Sequence, residues 1–197
     1  FFYTESAARS LRGGEFPFWN PFYKGGMPIL ENPQARSITP ATILAVFTDS
    51  VRATKLSVLF YLALSVAGSF FLIRYALGIR SMAMVVPVVL IPFCGYLPQH
   101  LFAGHANFLS ISLLPWAVAG FLLFEKQQKL RYALLFSVSI AWMVWDGHIY
   151  GFLQCAVLFG VWTLARALVL RDVRAIVRAG VLAMFTLGLA AHRLAAE

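Results

Sequence analysis

Residues 56–73 run for 18 positions without a charged side chain, about what a helix needs to cross a hydrocarbon core of roughly 30 Å. Comparable runs follow at 82–98 (17 residues), 107–124 (18) and 149–165 (17). Residues 132–145 give a shorter run of 14, and 177–191 a further 15 that include Arg178. An unpaired backbone amide in lipid is too costly to tolerate, so such segments span as helices whose hydrogen bonds close internally. The expected fold is all-α: a polytopic membrane helical bundle of six spans, with 132–145 short for a full crossing. Composition agrees, because 60% of the residues are hydrophobic, only 12% are charged and the mean hydropathy is +0.77. A soluble domain of this size needs more polar surface.

The net charge of +8 raises nucleic acid as a partner, but the basic residues are not gathered into a stripe. They follow alternate spans. Arg74 and Arg80, then Lys126, Lys129 and Arg131, then Arg166, Arg171, Arg174 and Arg178 occupy or border one set of short loops. The opposite loops, 99–106 and 146–148, have no Lys or Arg. The positive-inside rule puts the basic set in the cytoplasm. No nucleic-acid partner is expected. The first 50 residues then lie outside with four basic residues of their own, and long loops obey the rule weakly. His100, His105, His148 and His192 fall on that outer side, together with Glu5, Glu15, Glu31, Asp49 and Asp146. Glu125 and Asp172 read as solvated charges of the cytoplasmic loops.

The chain thus divides into an extracytoplasmic loop, 1–50, and a helical domain, 51–197. Five of the nine prolines lie in the loop, with the pairs Gly13-Gly14 and Gly25-Gly26. It is too broken to span and too aromatic to be a disordered tail, so it is expected to lie on the membrane surface. A short helix over 4–11 closed by Gly13 is expected, and Thr39 before Pro40 caps a second helix running to Phe47.

Three stretches carry chemically capable side chains. In residues 14–34 the prolines and the Gly25-Gly26 pair shape the backbone, Trp19 and Phe22 suit the interface, and Asn20, Lys24, Glu31, Asn32 and Gln34 can bind hydroxyls and phosphate. The same residues also fit a purely structural loop in which asparagines cap turns. In residues 96–107, Gln99, His100, His105 and Asn107 sit at the outer mouth of two spans and suggest a polar cavity. The third stretch is Asp146-Gly147-His148. An acid there is costly in lipid and should face protein or water, and pairing with His148 would orient the imidazole. Cys94 and Cys155 lie in apolar runs without metal or disulfide spacing. Walker, G-x-S-x-G, H-E-x-x-H and dinucleotide motifs do not occur in the sequence.

The run PFWNPFYKGGMPILENPQ followed by Pro40, the pair Leu77-Gly78, the segment from Gly95 to Trp116 and the Asp146-Gly147-His148 turn occur in an order that resembles the YfhO-like bacterial membrane proteins of the GT-C glycosyltransferase class. The resemblance covers nearly the whole chain. It implies an inner-membrane enzyme with its active face outside, transferring a sugar from a polyprenyl-phosphate-linked donor to a glycan, lipid or protein acceptor. An acceptor hydroxyl would attack the anomeric carbon as the lipid phosphate leaves, which requires a carboxylate and phosphate-binding donors. On this resemblance Lys24, Arg36 and His105 would hold the phosphate and Asn20, Asn32 and Gln34 the sugar. Trp19, Glu31, His100, Asn107 and His148 complete the substrate-binding set, and Asp146 and Glu5 are the candidate catalytic acids. No cofactor is evident; a divalent metal, used by some members of the class, has no clear ligand set here. The key acid of the class sits just after a first membrane helix that this chain lacks, so the isolated chain is expected to be inactive. The alternatives are a non-catalytic protein that binds or transports a lipid-linked glycan, and a structural membrane subunit.

Overall fold

The computed structural model describes residues 2–21, 25–29 and 39–194. Helix α1 (Phe2–Arg12) leads into a two-stranded antiparallel hairpin, β1 (Trp19–Asn20) and β2 (Met27–Pro28), with Trp19 opposite Pro28 and Asn20 opposite Met27. The left-handed residue that ends α1 is Gly14 (φ +76°) rather than Gly13, and the Glu15 amide reaches back to the Ser10 carbonyl at 2.9 Å. Helix α2 (Pro40–Phe47) starts at Thr39, whose hydroxyl accepts from the Thr42 amide. Its far end is capped by the Arg12 side chain, which donates to the carbonyls of Ala45, Val46 and Thr48. That bond set ties α1 to α2 over the small contact of Ala8, Ala45 and Ala53.

The rest is a helical bundle. Helix α3 (Ser50–Phe71), capped by Asp49, runs into a π-helical turn at Leu72–Ala76. A 3-10 turn at Met82–Met84 precedes α4 (Val85–Phe93) and α5 (Tyr96–Phe102), and a longer one at Ala106–Leu113 precedes α6 (Leu114–Gln127). Then come α7 (Leu130–Trp145), α8 (Ile149–Val169) and α9 (Arg174–Leu194). Five helical stretches have the length and apolarity to cross a membrane: Ser50–Ala76, Met82–Phe102, Ala106–Gln127, Ile149–Val169 and Arg174–Ala191. The shorter α7 is a sixth apolar helix. This is a multi-pass membrane protein.

Each of the six sequence segments falls within one of these stretches, but two are not simple α-helices. The second breaks at Cys94–Gly95 between α4 and α5. Pro98 in the first turn of α5 has no amide to return to the Cys94 carbonyl, so a continuous ladder cannot form there. The third opens as 3-10 helix and becomes α only at Leu114-Pro115, where proline in a first turn costs nothing. Most helices also outrun their apolar segments because Arg52, Lys55, Arg166 and Arg174 extend their ends. Long basic side chains can lie along apolar surface with the charge in water.

Helix α7 is central, packed on α6, α8 and α9. Phe121, Phe136, Ile140, Met143, Phe159 and Leu182 form the main core, with Phe136 edge-on to Phe159 at 5.0 Å. At Gly120 the α7 backbone comes so near α6 that a Cβ would lie 2.7 Å from the Phe136 amide nitrogen. Small residues of this kind let membrane helices pack closely when apolar burial cannot drive them together. Gly68 does the same for Trp116, whose indole donates to the Leu64 carbonyl at 2.8 Å.

Opposite ends of the bundle differ. At one, Arg178 donates to Glu125 at 2.7 Å and Asp172 at 2.5 Å, Arg166 pairs with Asp172 at 3.0 Å and lies 3.5 Å from Glu125, and Lys126 donates to the Ala76 carbonyl. Glu125 and Asp172 are therefore not the solvated loop charges expected; the Glu125 side chain is 6% exposed and Asp172 23%. They fasten α6, α8 and α9 together. The hydrogen bond from Arg178 holds the Asp172 carboxyl below its ordinary range, against the opposing effect of burial. At the other end, the Asn107 amide donates to the Gly147 carbonyl at 3.4 Å. Since α7 starts beside the ionic network and ends at this turn, it traverses the bundle.

Gly120→Ala should lower stability by about 1–3 kcal/mol, the usual cost of overpacking, whereas Gly160→Ala, whose Cβ meets open space, should leave the melting temperature unchanged or raise it. Arg178→Gln should cost about 1–3 kcal/mol by leaving Glu125 buried with its best donor gone; Arg52→Gln, removing an 81% exposed partner, should change nothing. Thermal unfolding in detergent, followed by circular dichroism, checks both pairs.

Candidate functional site

The mouth opposite the ionic network is built from α5, the turn after it, and the α7–α8 turn. Tyr96 and His100 lie one helical turn apart and meet edge to face at 4.6 Å. Gly104 (φ +79°) reverses the chain, and the His105 amide returns to the His100 carbonyl at 2.9 Å. This brings Phe108 flat against His100, with centroids 3.8 Å apart and planes 4° off parallel. His105 lies 5.8 Å from the same ring.

From the other side, α7 ends at Trp145. The Asp146 amide donates to the Trp142 carbonyl, and the His148 amide to the Met143 carbonyl, both at 2.9 Å. The His148 ring lies 4.6 Å from Phe108, and a Cβ at Gly151 would be 2.7 Å from its Cε1 and Nδ1 atoms. Four polar residues from two distant segments, His100, His105, Asn107 and His148, thus surround one phenylalanine. Exposure grades across them. His105 is exposed, His100 and Asn107 are half-buried, and Asp146 and His148 are fully buried.

His148 and Asp146 do not pair. Neither imidazole nitrogen has a hydrogen-bond partner among the described residues, whereas Asp146 is engaged in another polar interaction. Burial, reinforced by the nearby His100, lowers the His148 pKa to about 4. The imidazole is therefore neutral near pH 7, with one nitrogen able to donate and one able to accept. A buried polar ring without a partner costs stability and is a hydrogen-bonding site for a hydroxyl or a water.

One hollow adjoins the cluster and a second lies along the last turns of α7. A cavity of about 280 Å³ is lined by Ser65, Cys94, Tyr96, Leu97, Ser112 and Gln154, among others. Ser112 is 1% exposed and its hydroxyl also has no hydrogen-bond partner among the described residues. Tyr96 belongs to both this cavity and the histidine cluster. An apolar groove of about 660 Å³ joins Thr39, Pro40 and Ile43 of the loop part to Phe60, Trp142 and Trp145. It places the start of α2 at the Asp146 end of the bundle.

The remaining candidates are dispersed. Glu5 pairs with Arg9 at 3.0 Å and lies 3.7 Å from Arg12. Trp19 lies over Gly26, where a Cβ would fall 2.3 Å from the indole and φ is +112°. Neither makes a hydrogen bond, ion pair or ring contact with the histidine cluster. Asn20 is fully buried and accepts from the Ser6 hydroxyl at 2.9 Å. Lys24, Glu31, Asn32, Gln34 and Arg36 lie outside the described residues. Among the described residues, no three His, Cys, Asp or Glu side chains come together as a metal site.

Sequence reasoning missed Phe108, around which the cluster is organised, and Gly151. The first was visible as an aromatic directly after His105-x-Asn107; the second had no sequence signal. No family model, no curated protein and no solved structure matches this chain.

His148 gives a pH dependence of definite sign. Its folded pKa of about 4 lies below the ordinary 6.5, so the unfolded chain binds the proton first. Stability should fall as the pH drops from about 6.5 towards 4 and level off, for this group, below that. His148→Phe, keeping a ring between Phe108 and Gly151, should flatten the melting temperature over this interval; an unchanged slope would exclude His148 as its source.

Proposed function

We propose that this chain is the membrane part of a GT-C-type glycosyltransferase. It takes a sugar from a polyprenyl-phosphate-linked donor at the histidine-lined mouth, on the extracytoplasmic face of a bacterial inner membrane. The observation that carries the reading is the gathering of His100, His105, Asn107 and His148 around Phe108, with Asp146 two residues from His148 in the same turn. The polarity of the two ends supports the orientation, since the basic loops meet at the opposite end and basic loops stay in the cytoplasm.

In this reading His105 and His100 face the anionic donor, while neutral His148 and Asn107 offer hydrogen bonds to sugar hydroxyls. An acceptor oxygen attacks the anomeric carbon, the bond from that carbon to the phosphate oxygen breaks, and the acceptor proton passes to a carboxylate, assigned to Asp146. Lys24 and Arg36 supply further cations for the phosphate, Asn20, Asn32 and Gln34 further hydrogen bonds, and Trp19 and Glu31 complete the sugar contacts. A divalent metal has no assigned ligands.

A second reading is a protein that binds or transports the lipid-linked glycan without chemistry. It is favoured by the full burial of Asp146 and the engagement of Glu5 by arginines, which present neither acid to an open cavity. The two readings separate in a transfer assay. Asp146→Asn should leave folding and donor binding intact and lower transfer from a labelled polyprenyl-phosphate sugar by about 100-fold or more. Normal transfer by the variant would remove Asp146 from the mechanism; donor binding with no transfer by the wild-type protein would favour the second reading.

A further inference from the structure

Helix α2 belongs to the loop part of the chain, yet it packs alongside the first turns of α3 rather than above the bundle. The chain reverses at Thr48-Asp49, Ala45 rests on Ala53, and the start of α2 lines the 660 Å³ groove together with Phe60. Lys55 is the last charged residue before the apolar run of α3, and Phe60 lies five residues, or about 8 Å, beyond it. The other walls of the groove include Val138 and Trp142 of α7 and Leu189 of α9, all exposed. A surface made of spanning helices at this depth meets acyl chains. Helix α2 continues that surface: it has no charged residue, and Ile43 and Phe47, one turn apart, are 52% and 81% exposed.

The two ends of α2 differ as the two sides of a membrane interface do. At its last turn, Arg12 donates to the carbonyls of Ala45, Val46 and Thr48, and Arg52, paired with Asp49, is 81% exposed. Guanidiniums are costly to hold in hydrocarbon, so this end stays with the headgroups. Its first turn carries no charge. Pro40 has no amide to satisfy, and the Thr39 hydroxyl accepts from the Thr42 amide. Fewer donors are therefore left open than at an ordinary helix start, which is what an apolar medium demands of backbone.

We propose that α2 is set into the membrane leaflet on the side of the histidine mouth, with its first turn among acyl chains and its Arg12-capped end at the headgroups. Lipid tails then fill the groove between α2, Phe60 and α7, and the loop part is not wholly a surface layer. This holds whichever way the bundle faces and whatever chemistry the mouth performs.

Spin labels on single cysteines test it. In the chain carrying Cys94→Ala and Cys155→Ala, reconstituted into phosphatidylglycerol and phosphatidylethanolamine nanodiscs, nitroxides are placed at Ile43→Cys, Phe60→Cys and Arg52→Cys. All three side chains are exposed, so the labels should leave the fold intact. Collisions with oxygen, which partitions into lipid, are compared with those of a water-soluble nickel chelate. The labels at Ile43 and Phe60 should favour oxygen to a similar degree, each several-fold more than the label at Arg52. An Ile43 label that meets nickel as freely as the Arg52 label would put α2 in water and overturn the proposal. Shielding of Ile43 from both reagents would overturn it as well, because protein rather than lipid would then cover this face. A nickel-accessible Phe60 label would overturn it by taking that stretch of α3 out of the bilayer.

Discussion

Everything in this bundle is arranged around the close approach of α7 to α6. Where Gly120 meets the Phe136 backbone, the two helices come nearer than side chains would normally allow. Between lipid-immersed helices there is little hydrophobic force to recruit, and packing of this closeness is what remains. With α7 set deep, α8 and α9 close over it, and the Phe121, Phe136 and Phe159 rings fill the space between. The serines of α7 then find partners inside the bundle: Ser137 donates to the Leu182 carbonyl and Ser139 to that of Leu135.

The shortness of α7 has a chemical result. Its 16 residues rise only about 24 Å, less than a hydrocarbon core of roughly 30 Å. Asp146 and His148 are buried in the turn at its end, where the α5 and 3-10 segments bring His100, Asn107 and Phe108 against it. The break at Cys94–Gly95 serves the same geometry, because a straight helix through 82–102 would carry His100 along its axis rather than across the mouth. Polar groups are held in an apolar setting, where each hydrogen bond offered to a ligand counts for more than it would in water.

Much of the bundle was legible from the sequence. Apolar runs, the last of them carrying Arg178, locate every span, and Thr39-Pro40 marks the start of α2. What the pattern could not give was register between helices. Nothing in a hydropathy trace says that Glu125 and Asp172 lie within reach of Arg178, so both read as ordinary loop charges. Likewise Asp146 and His148, two residues apart, look like a pair, yet the turn at Gly147 leaves the imidazole nitrogens without a partner among the described residues and packs the ring against Phe108 and Gly151. Breaks within spans were hidden because proline in a first turn and proline in mid-helix leave the same hydropathy. The histidines were legible as members of one mouth because loops without basic residues fall on one side; their common packing on Phe108 was not.

The central claim is that the histidine mouth faces away from the cytoplasm while the ionic network faces it. In a chain carrying Cys94→Ala and Cys155→Ala, single cysteines introduced as Ala103→Cys and Gln127→Cys sit at exposed positions on the two ends. A membrane-impermeant maleimide applied to intact cells should label the first, and should label the second only after the membrane is opened. Labelling of Gln127→Cys from outside with Ala103→Cys protected would invert the molecule and contradict the account.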